Sequence, residues 1–155
     1  MNKEYILEKY QFIPKSKAEV FNFFKTPENL EKITPENLNF KIHTPSPILM
    51  DEGTLIEYQI KLLGIPIYWK TLINEYSPPN QFRDIQLKGP YAKWDHTHIF
   101  KECKNGTMMI DRVCYSIPFS IIGRLAHFIW VEKELKRIFD YRYQIIYEIF
   151  KGDKQ

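Results

Sequence analysis

The amino-acid sequence predicts an α+β fold in which a seven-stranded antiparallel sheet wraps around a long helix at the end of the chain. Three observations predict this fold. Two short helical segments follow the first strand, residues 40–117 read as consecutive strands separated by turn residues, and an apolar stripe at helical spacing runs through residues 121–150. A chain of 155 residues has an ordinary length for one domain, and we expect residues 1–155 to form one.

The chain opens with a strand and two short helices. Residues 4–13 alternate loosely between polar and apolar side chains and stop at a proline, as expected of a first strand. Ser16 and Glu19 form a capping-box pattern, which predicts the start of a helix. Thr26 as N-cap, with a proline directly after it, predicts a second short helix over residues 27–33.

Strands fill the middle of the chain. Residues 54–63 alternate apolar side chains with charged or polar ones, the pattern of a half-buried antiparallel strand. Residues 67–76 and 82–88 continue the pattern, and the prolines and asparagine of residues 78–80 mark the turn between them. About six strands are therefore expected between residues 40 and 117.

Residues 89–118 read as a hairpin with an unusual face. Asn105 and Gly106 are suited to a two-residue turn, which places His98 opposite Val113 and makes Asp111 its diagonal neighbour. Side chains alternate across a strand, so one face combines aromatic, imidazole and carboxylate groups. Its members are Trp94, His96, His98, Phe100, Met109, Asp111, Val113, Tyr115 and Ile117. We expect this face to be the inner wall of a cavity.

The last predicted element is a helix over residues 121–150, ~45 Å long at 1.5 Å per residue. It is long enough to cross a whole sheet. Its apolar stripe predicts packing on the concave face of the sheet, and Arg142 interrupts the stripe near the middle. The stripe consists of Leu125, Phe128, Val131, Leu135, Ile138, Phe139, Ile145, Ile146 and Ile149.

Composition narrows the classes of function. The net charge of +3 comes from dispersed lysines and arginines, so we do not expect nucleic-acid binding. No apolar run has the length of a membrane span and no signal peptide is apparent, which predicts a cytoplasmic protein. Cys103 and Cys114 are expected ~20 Å apart in the hairpin, as free thiols. The 15% of aromatic residues suggests large side chains lining a cavity.

Three segments resemble a known superfamily. They are the pattern FxDxQxxGPYxxWxHxHxF over residues 82–100, the segment DRVCYSIP at 111–118 and the segment IFDYR at 138–142. With the order of elements, they resemble the START-like ligand-binding superfamily, also called SRPBCC or helix-grip proteins. The resemblance implies a sheet that grips the last helix around an apolar cavity, and binding of a small hydrophobic molecule such as a lipid, a quinone or a polyketide-like compound. Because that superfamily contains both carriers and polyketide cyclases, the resemblance leaves open whether the protein is an enzyme.

Twelve residues are candidates for contact with a ligand in this cavity. In one interpretation their polar members orient a mostly apolar ligand. In the other they form a self-satisfied network, with His98 bonded to Asp111 and Asp84 bonded to Arg142 or Gln86. The twelve are Tyr58, Trp69, Asp84, Gln86, Trp94, His96, His98, Phe100, Asp111, Tyr115, Phe139 and Arg142.

Catalysis or metal binding by the same residues is the alternative to ligand binding. His98 could act as a base oriented by Asp111, with Tyr115 as a donor, in a cyclase or dehydratase. His96, His98 and Asp111 could hold a metal, but no fourth ligand is visible, so we predict neither a metal nor a cofactor. Arg142 could anchor an anionic head group, although pairing with an internal carboxylate is the favoured interpretation.

Two segments that should be loops are apolar. They are residues 62–68 at a hairpin tip and residues 117–123 before the last helix. They could frame the mouth of the cavity and make transient contact with a membrane, or they could pack on each other. We expect no obligate protein partner.

Overall fold

The computed structural model describes residues 2–151. In this part of the chain seven antiparallel strands form one sheet, in the order β1-β7-β6-β5-β4-β3-β2. The strands are β1 (Glu4–Ile13), β2 (Lys41–Ile42), β3 (Leu55–Leu62), β4 (Ile65–Ser77), β5 (Gln81–Lys88), β6 (Lys93–Cys103) and β7 (Gly106–Ser116). The helices are α1 (Lys17–Phe24), α2 (Ser120–Ala126) and α3 (Glu132–Phe150), with 3-10 turns at Pro27–Leu30 and Glu36–Leu38. The predicted fold class is confirmed.

The two short helical segments after β1 differ in how they begin. At α1 the predicted capping box is present, because the Glu19 amide donates to the Ser16 hydroxyl and the Ser16 amide donates to the Glu19 carboxylate. The second segment is only the 3-10 turn Pro27–Leu30. Thr26 is its N-cap residue and Pro27 its first residue, as predicted. The Thr26 side chain makes no capping hydrogen bond, however, because its hydroxyl donates to the carbonyl of Asn22 at 3.0 Å, at the end of α1.

The turn between β6 and β7 lies one residue earlier than predicted. Lys104 and Asn105 form the loop, and Asn105 supplies the positive φ of 65°. Gly106 is already paired in β7, where a Cβ would lie 2.3 Å from the carbonyl oxygen of Ile13. The pairing is therefore displaced by two residues and His98 directly faces Asp111. A displacement of two leaves every side chain on its predicted face.

The last helix is continuous but irregular. A π-helical turn at His127–Val131 joins α2 to α3. The extra residue of a π turn rotates the helix face around it, and the predicted apolar stripe is divided there. Leu135, Phe139 and Ile146 are buried against the sheet, whereas Leu125 is 59% and Phe128 is 76% exposed. The prediction of one stripe packed along the whole helix is thus wrong for its first part and for Ile149, which is 42% exposed.

The core lies between the concave face of the sheet and α3, and α1 covers the end of β6 and β7. Phe21, Phe24, Phe82 and Phe100 form an aromatic cluster under α1. Cys103 and Cys114 are free thiols, as predicted. Among the described residues, no helix has both the length and the hydropathy needed to cross a membrane.

Candidate functional site

A cavity of about 480 Å³ lies between the sheet and α3. Its size is in the range of small-molecule sites. The walls come from β3, β4, β5, β6, α3 and the segment after α1, and they are mostly apolar. Aliphatic and aromatic members include Leu38, Phe40, Met50, Tyr58, Ile60, Trp69, Ile73, Tyr91, Trp94, Leu135, Ile138 and Phe139. Tyr58 stacks on Trp69, and Trp94 meets Trp69 edge to face, which makes the floor rigid.

A cluster of charged and imidazole groups closes the inner end of this cavity. Asp84, His96, His98 and Arg142 line it, and Asp111 lies behind them against α3. We call these five residues the polar cluster. Alternation on β5, β6 and β7 turns four of them to the concave face, and the arginine reaches them from the buried side of α3.

His98 is held between the two carboxylates. Its Nε2 lies 3.0 Å from Asp84 Oδ2 and its Nδ1 lies 3.0 Å from Asp111 Oδ1. Burial disfavours the charged imidazole, but the two carboxylates outweigh burial and the pKa of His98 is raised. Phe82 stacks on the ring and fixes its plane.

Asp111 binds the cations of the polar cluster. Arg142 Nη2 donates to its Oδ1 at 3.4 Å, and His96 Nε2 donates to the same oxygen at 3.0 Å. Burial alone would raise the pKa of Asp111; the guanidinium and the two imidazoles outweigh it and hold that pKa well below the usual value. The favoured interpretation of Arg142 as an internally paired residue agrees with this geometry, but its partner is Asp111, and Asp84 pairs with His98.

His96 differs from His98 in charge. Burial and the neighbouring His98, whose ring centroid is 3.8 Å away, lower the pKa of His96. When His98 is protonated, two cations and two carboxylates balance and His96 stays neutral. With its Nε2 proton donated to Asp111, its Nδ1 carries a lone pair and lies 3.9 Å from Asp84 Oδ2.

This difference predicts two opposite titrations. The pKa of His98 lies above 6.5 and that of His96 below 6.5, the value expected for an unfolded chain. His98 therefore adds stability that is complete below pH 6.5 and is lost as pH rises through its folded-state pKa. His96 costs stability as pH falls below 6.5. Ring-proton NMR should show the His98 resonance titrating above 6.5 and the His96 resonance titrating below it, each assigned by its loss in His98→Gln or His96→Gln. Two coincident midpoints near 6.5 would contradict the charge assignment.

Trp69, which lines the cavity, carries a buried and unpaired donor. The side chain is 7% exposed, yet its indole Nε1 has no hydrogen-bond partner. A buried N–H without a partner costs free energy, and such groups in native proteins call for an explanation. A shift of the indole toward the cavity would let a ligand oxygen satisfy it.

The predicted site residues divide into two groups. Eight of the twelve line the cavity: Tyr58, Trp69, Asp84, Trp94, His96, His98, Phe139 and Arg142. Gln86, Phe100, Asp111 and Tyr115 are not among the lining residues. Alternation predicts the face of a residue but not its depth, which explains the difference.

Each of these four side chains has an internal partner. Gln86 donates to the Tyr91 carbonyl at 2.7 Å and braces the β5–β6 loop. Phe100 packs in the aromatic cluster under α1. Burial raises the pKa of Tyr115 to about 12, so it keeps its proton and donates to His127 Nε2 at 2.8 Å. Tyr115 is therefore not placed to donate to a ligand beside His98.

Sequence reasoning missed several lining residues. Leu38 and Phe40 come from the irregular segment after α1, and Tyr91 comes from the β5–β6 loop. No periodicity marks a loop residue as part of a cavity. Thr71 could have been identified as a lining residue from the sequence, because residues 69, 71 and 73 of β4 lie on the same face of the strand.

The mouth of the cavity lies at one end of the sheet. Leu63 and Ile65 at the β3–β4 tip and Trp130 in the π turn line it, and all three are also exposed. The predicted alternative, packing of the two apolar segments on each other, is wrong. Leu63 is 84%, Phe119 79% and Ile121 77% exposed.

The polar cluster also has atoms spaced for a metal. Ligand atoms of Asp84, His96 and His98 lie within 4.8 Å of one another, so the carboxylate in this set is Asp84 where the sequence suggested Asp111. A metal would have to replace the proton of His98 and sit near Arg142, whose Nη2 is 3.5 Å from His98 Nδ1. The ionic network is the better account of these contacts.

Solved structures share this architecture. The protein TTHA0849 from Thermus thermophilus has a TM-score of 0.71 and 19% identity, over 94% of this chain and 95% of that one. The ginseng major latex-like protein 151 from Panax ginseng has a TM-score of 0.67 and 11% identity, over 96% and 99%. The di-domain ARO/CYC StfQ of the steffimycin biosynthetic pathway has a TM-score of 0.73 and 10% identity; the match covers 96% of this chain and 51% of StfQ.

These likenesses define the fold. The chain has the helix-grip fold of START-like, or SRPBCC, proteins, as the sequence resemblance implied. No protein-family model matches the sequence, and the search of curated proteins finds no match.

Proposed function

We propose that the protein binds a small, neutral, mostly apolar molecule that carries an oxygen acceptor, such as a lipid, a quinone or a polyketide-like compound. The observation that carries this proposal is the cavity itself: about 480 Å³ with apolar walls and a few polar groups at its inner end. Binders of apolar molecules typically combine a large apolar contact area with a few directional hydrogen bonds.

The polar groups favour a neutral ligand. Arg142 is engaged by Asp111, and the charges of the polar cluster balance when His98 is protonated. An anionic head group would add an uncompensated buried charge. A shift of the Trp69 indole toward the cavity would offer its buried Nε1 as a donor for a carbonyl oxygen, and Asp84 and His96 Nδ1 offer acceptors for a hydroxyl group. The eight lining candidates would contact the ligand, and Asp111 would hold three of them in place.

The experiment compares naphthoquinone with naphthalene, which has nearly the same shape and no oxygen. Calorimetric titration should show wild type preferring the quinone. Trp69→Phe keeps an aromatic ring in the floor but removes the N–H together with part of the indole. Because naphthalene reports the lost contact area, the ratio of the two affinities isolates the N–H, and that ratio should fall about tenfold.

The matched control is Trp130→Phe, the same substitution at the mouth of the cavity, which should leave the preference unchanged. If neither compound binds wild type, the cavity does not serve apolar ligands of this size. If Trp69→Phe keeps the full preference, the indole donor does not orient the ligand.

A second candidate function is cyclisation or dehydration of a polyketide-like compound. One observation favours it: neutral His96 is oriented by Asp111 and faces the cavity, the arrangement a general base needs. The fold of the ARO/CYC protein StfQ adds a likeness of architecture alone. His98, the base suggested by the sequence, has both ring nitrogens 3.0 Å from carboxylate oxygens, whereas His96 Nδ1 lies 3.9 Å from Asp84 Oδ2 and makes no hydrogen bond to it.

If the protein is an enzyme, it should convert its ligand, and His96→Gln should stop the conversion without preventing binding. If it is a carrier, it should return the ligand unchanged.

We also propose a single cytoplasmic domain. All seven strands of the described residues belong to one sheet, and both cysteines are free, which suits a reducing compartment.

A further inference from the structure

The start of the last helix presents its apolar side chains to solvent. From Phe119 to Trp130 only Gly123 and His127 are buried. We call the exposed set the helix face; its members are between 59% and 79% exposed. They are Phe119, Ile121, Ile122, Leu125, Phe128 and Ile129. Folded monomers rarely expose so many large apolar groups together, and such patches mark interaction surfaces.

The backbone at this position is held in an unfavourable conformation. Phe119 and Ser120 both have positive φ, 69° and 45°, which is costly for residues with a Cβ. Phe119 is 79% exposed, so burial of its ring does not repay that cost. A function outside the folded monomer is a better explanation for presenting this side chain.

The same end of the molecule is basic. The antiparallel topology brings together the start of β1, the β3–β4 tip, the β5–β6 loop and the start of α2. Residues 2–4, 61–65, 88–93 and 117–131 contain five cations and one carboxylate, an excess of four against +3 for the whole chain. The cations are Lys3, Lys61, Lys88, Lys93 and Arg124, and the carboxylate is Glu4, which pairs with Lys93.

The helix face is also continuous with the mouth of the cavity. Trp130, next to Ile129, lines the cavity and is 38% exposed, and Leu63 and Ile65 complete the rim. An apolar molecule entering the cavity would pass between these side chains. A surface that buries the helix face would therefore cover the entrance as well.

We propose that this end of the protein docks on an anionic lipid bilayer. The helix face inserts at the boundary of head groups and acyl chains, the basic residues lie among the phosphates, and the cavity opens toward the lipid. A second copy of this chain fits the surface less well, because pairing two such ends would oppose five cations to five cations. The inference goes beyond the proposed function, since docking needs no ligand in the cavity.

The test is flotation of the purified protein with vesicles of phosphatidylcholine alone and of phosphatidylcholine mixed equally with phosphatidylglycerol. Wild type should float with the mixed vesicles, and added salt should weaken that binding. Ile121→Ser with Phe128→Ser should lower the partition coefficient at least about tenfold. Arg124→Gln should lower binding to the mixed vesicles only.

The matched control is Leu49→Ser. Leu49 is 82% exposed and precedes β3, at the opposite end of the sheet, so its loss should leave flotation unchanged. Circular dichroism checks that every variant is folded. The proposal is overturned if wild type stays with neither kind of vesicle, or if the double variant floats like wild type. A dimer in sedimentation that the double variant dissociates, without vesicle binding, would assign the surface to a second copy.

Discussion

Replacing Asp111 by asparagine is expected to lower the free energy of unfolding by about 3–5 kcal/mol, as breaking a buried ion pair does. The carboxylate is 7% exposed and is the common partner of His96, His98 and Arg142. An amide of the same shape leaves Arg142 without a counter-charge. It also removes one of the two carboxylates that keep the pKa of His98 raised. Urea unfolding at pH 6, where His98 is protonated, measures the loss.

The matched control is Asp95→Asn. Asp95 lies on the outer face of β6 and forms a bidentate pair with Arg83, whose side chain is 38% exposed. Surface pairs are worth about 0–1 kcal/mol; this one is bidentate and the Asp95 side chain is 17% exposed, so the variant should lose about 1 kcal/mol, well below the loss in Asp111→Asn. Equal losses in Asp111→Asn and Asp95→Asn would show that the polar cluster is not an ionic network.

Replacing Thr71 by tryptophan is expected to weaken naphthoquinone binding about a hundredfold. Thr71 is 5% exposed, lies on the floor between Trp69 and Ile73, and faces the cavity. An indole there occupies the space beside Trp69, where the proposed carbonyl acceptor would sit. The open cavity accommodates the added volume, and tryptophan is well tolerated in strands, so the fold should be retained.

Leu72→Trp is the control for this substitution. Leu72 is the next residue of β4 and points to the other face of the sheet. Calorimetry with naphthoquinone should give wild-type affinity for Leu72→Trp. If Thr71→Trp also binds at wild-type strength, the quinone binds elsewhere.

Much of the fold was predictable because it rests on local rules. The capping box at Ser16, the alternation in β3 and β4 and the long terminal helix each follow from short segments. The register of β6 and β7 could not be predicted in the same way. The position of the turn depends on the close approach of Gly106 to the carbonyl of Ile13 on a third strand, β1. That contact is invisible in the hairpin alone.

The sequence predicts which face of the sheet carries each residue of the candidate site, but not how deep below the cavity surface each residue lies. Alternation placed His96, His98 and Asp111 on one side of the sheet, and the structure keeps them there. It could not show that Asp111 lies behind the imidazoles, nor that the two histidines have opposite pKa shifts. Those differences arise from distances of 3–4 Å across three elements.

The terminal helix was likewise predicted only in part. Periodicity identifies an apolar stripe but does not say where the sheet beneath it ends. The first part of the stripe extends past the buried contacts of α3, and the π turn changes its direction. Leu125 and Phe128 are exposed for that reason.

The most direct test of the central claim is the mass of freshly purified wild type under native and then denaturing conditions, with Thr71→Trp measured in parallel. We expect a noncovalent adduct of a neutral, largely apolar compound on wild type, lost on denaturation and reduced or absent in Thr71→Trp. An adduct retained equally by both proteins would contradict binding in this cavity. Wild type that stays free of any adduct after incubation with naphthoquinone would contradict the binding function itself.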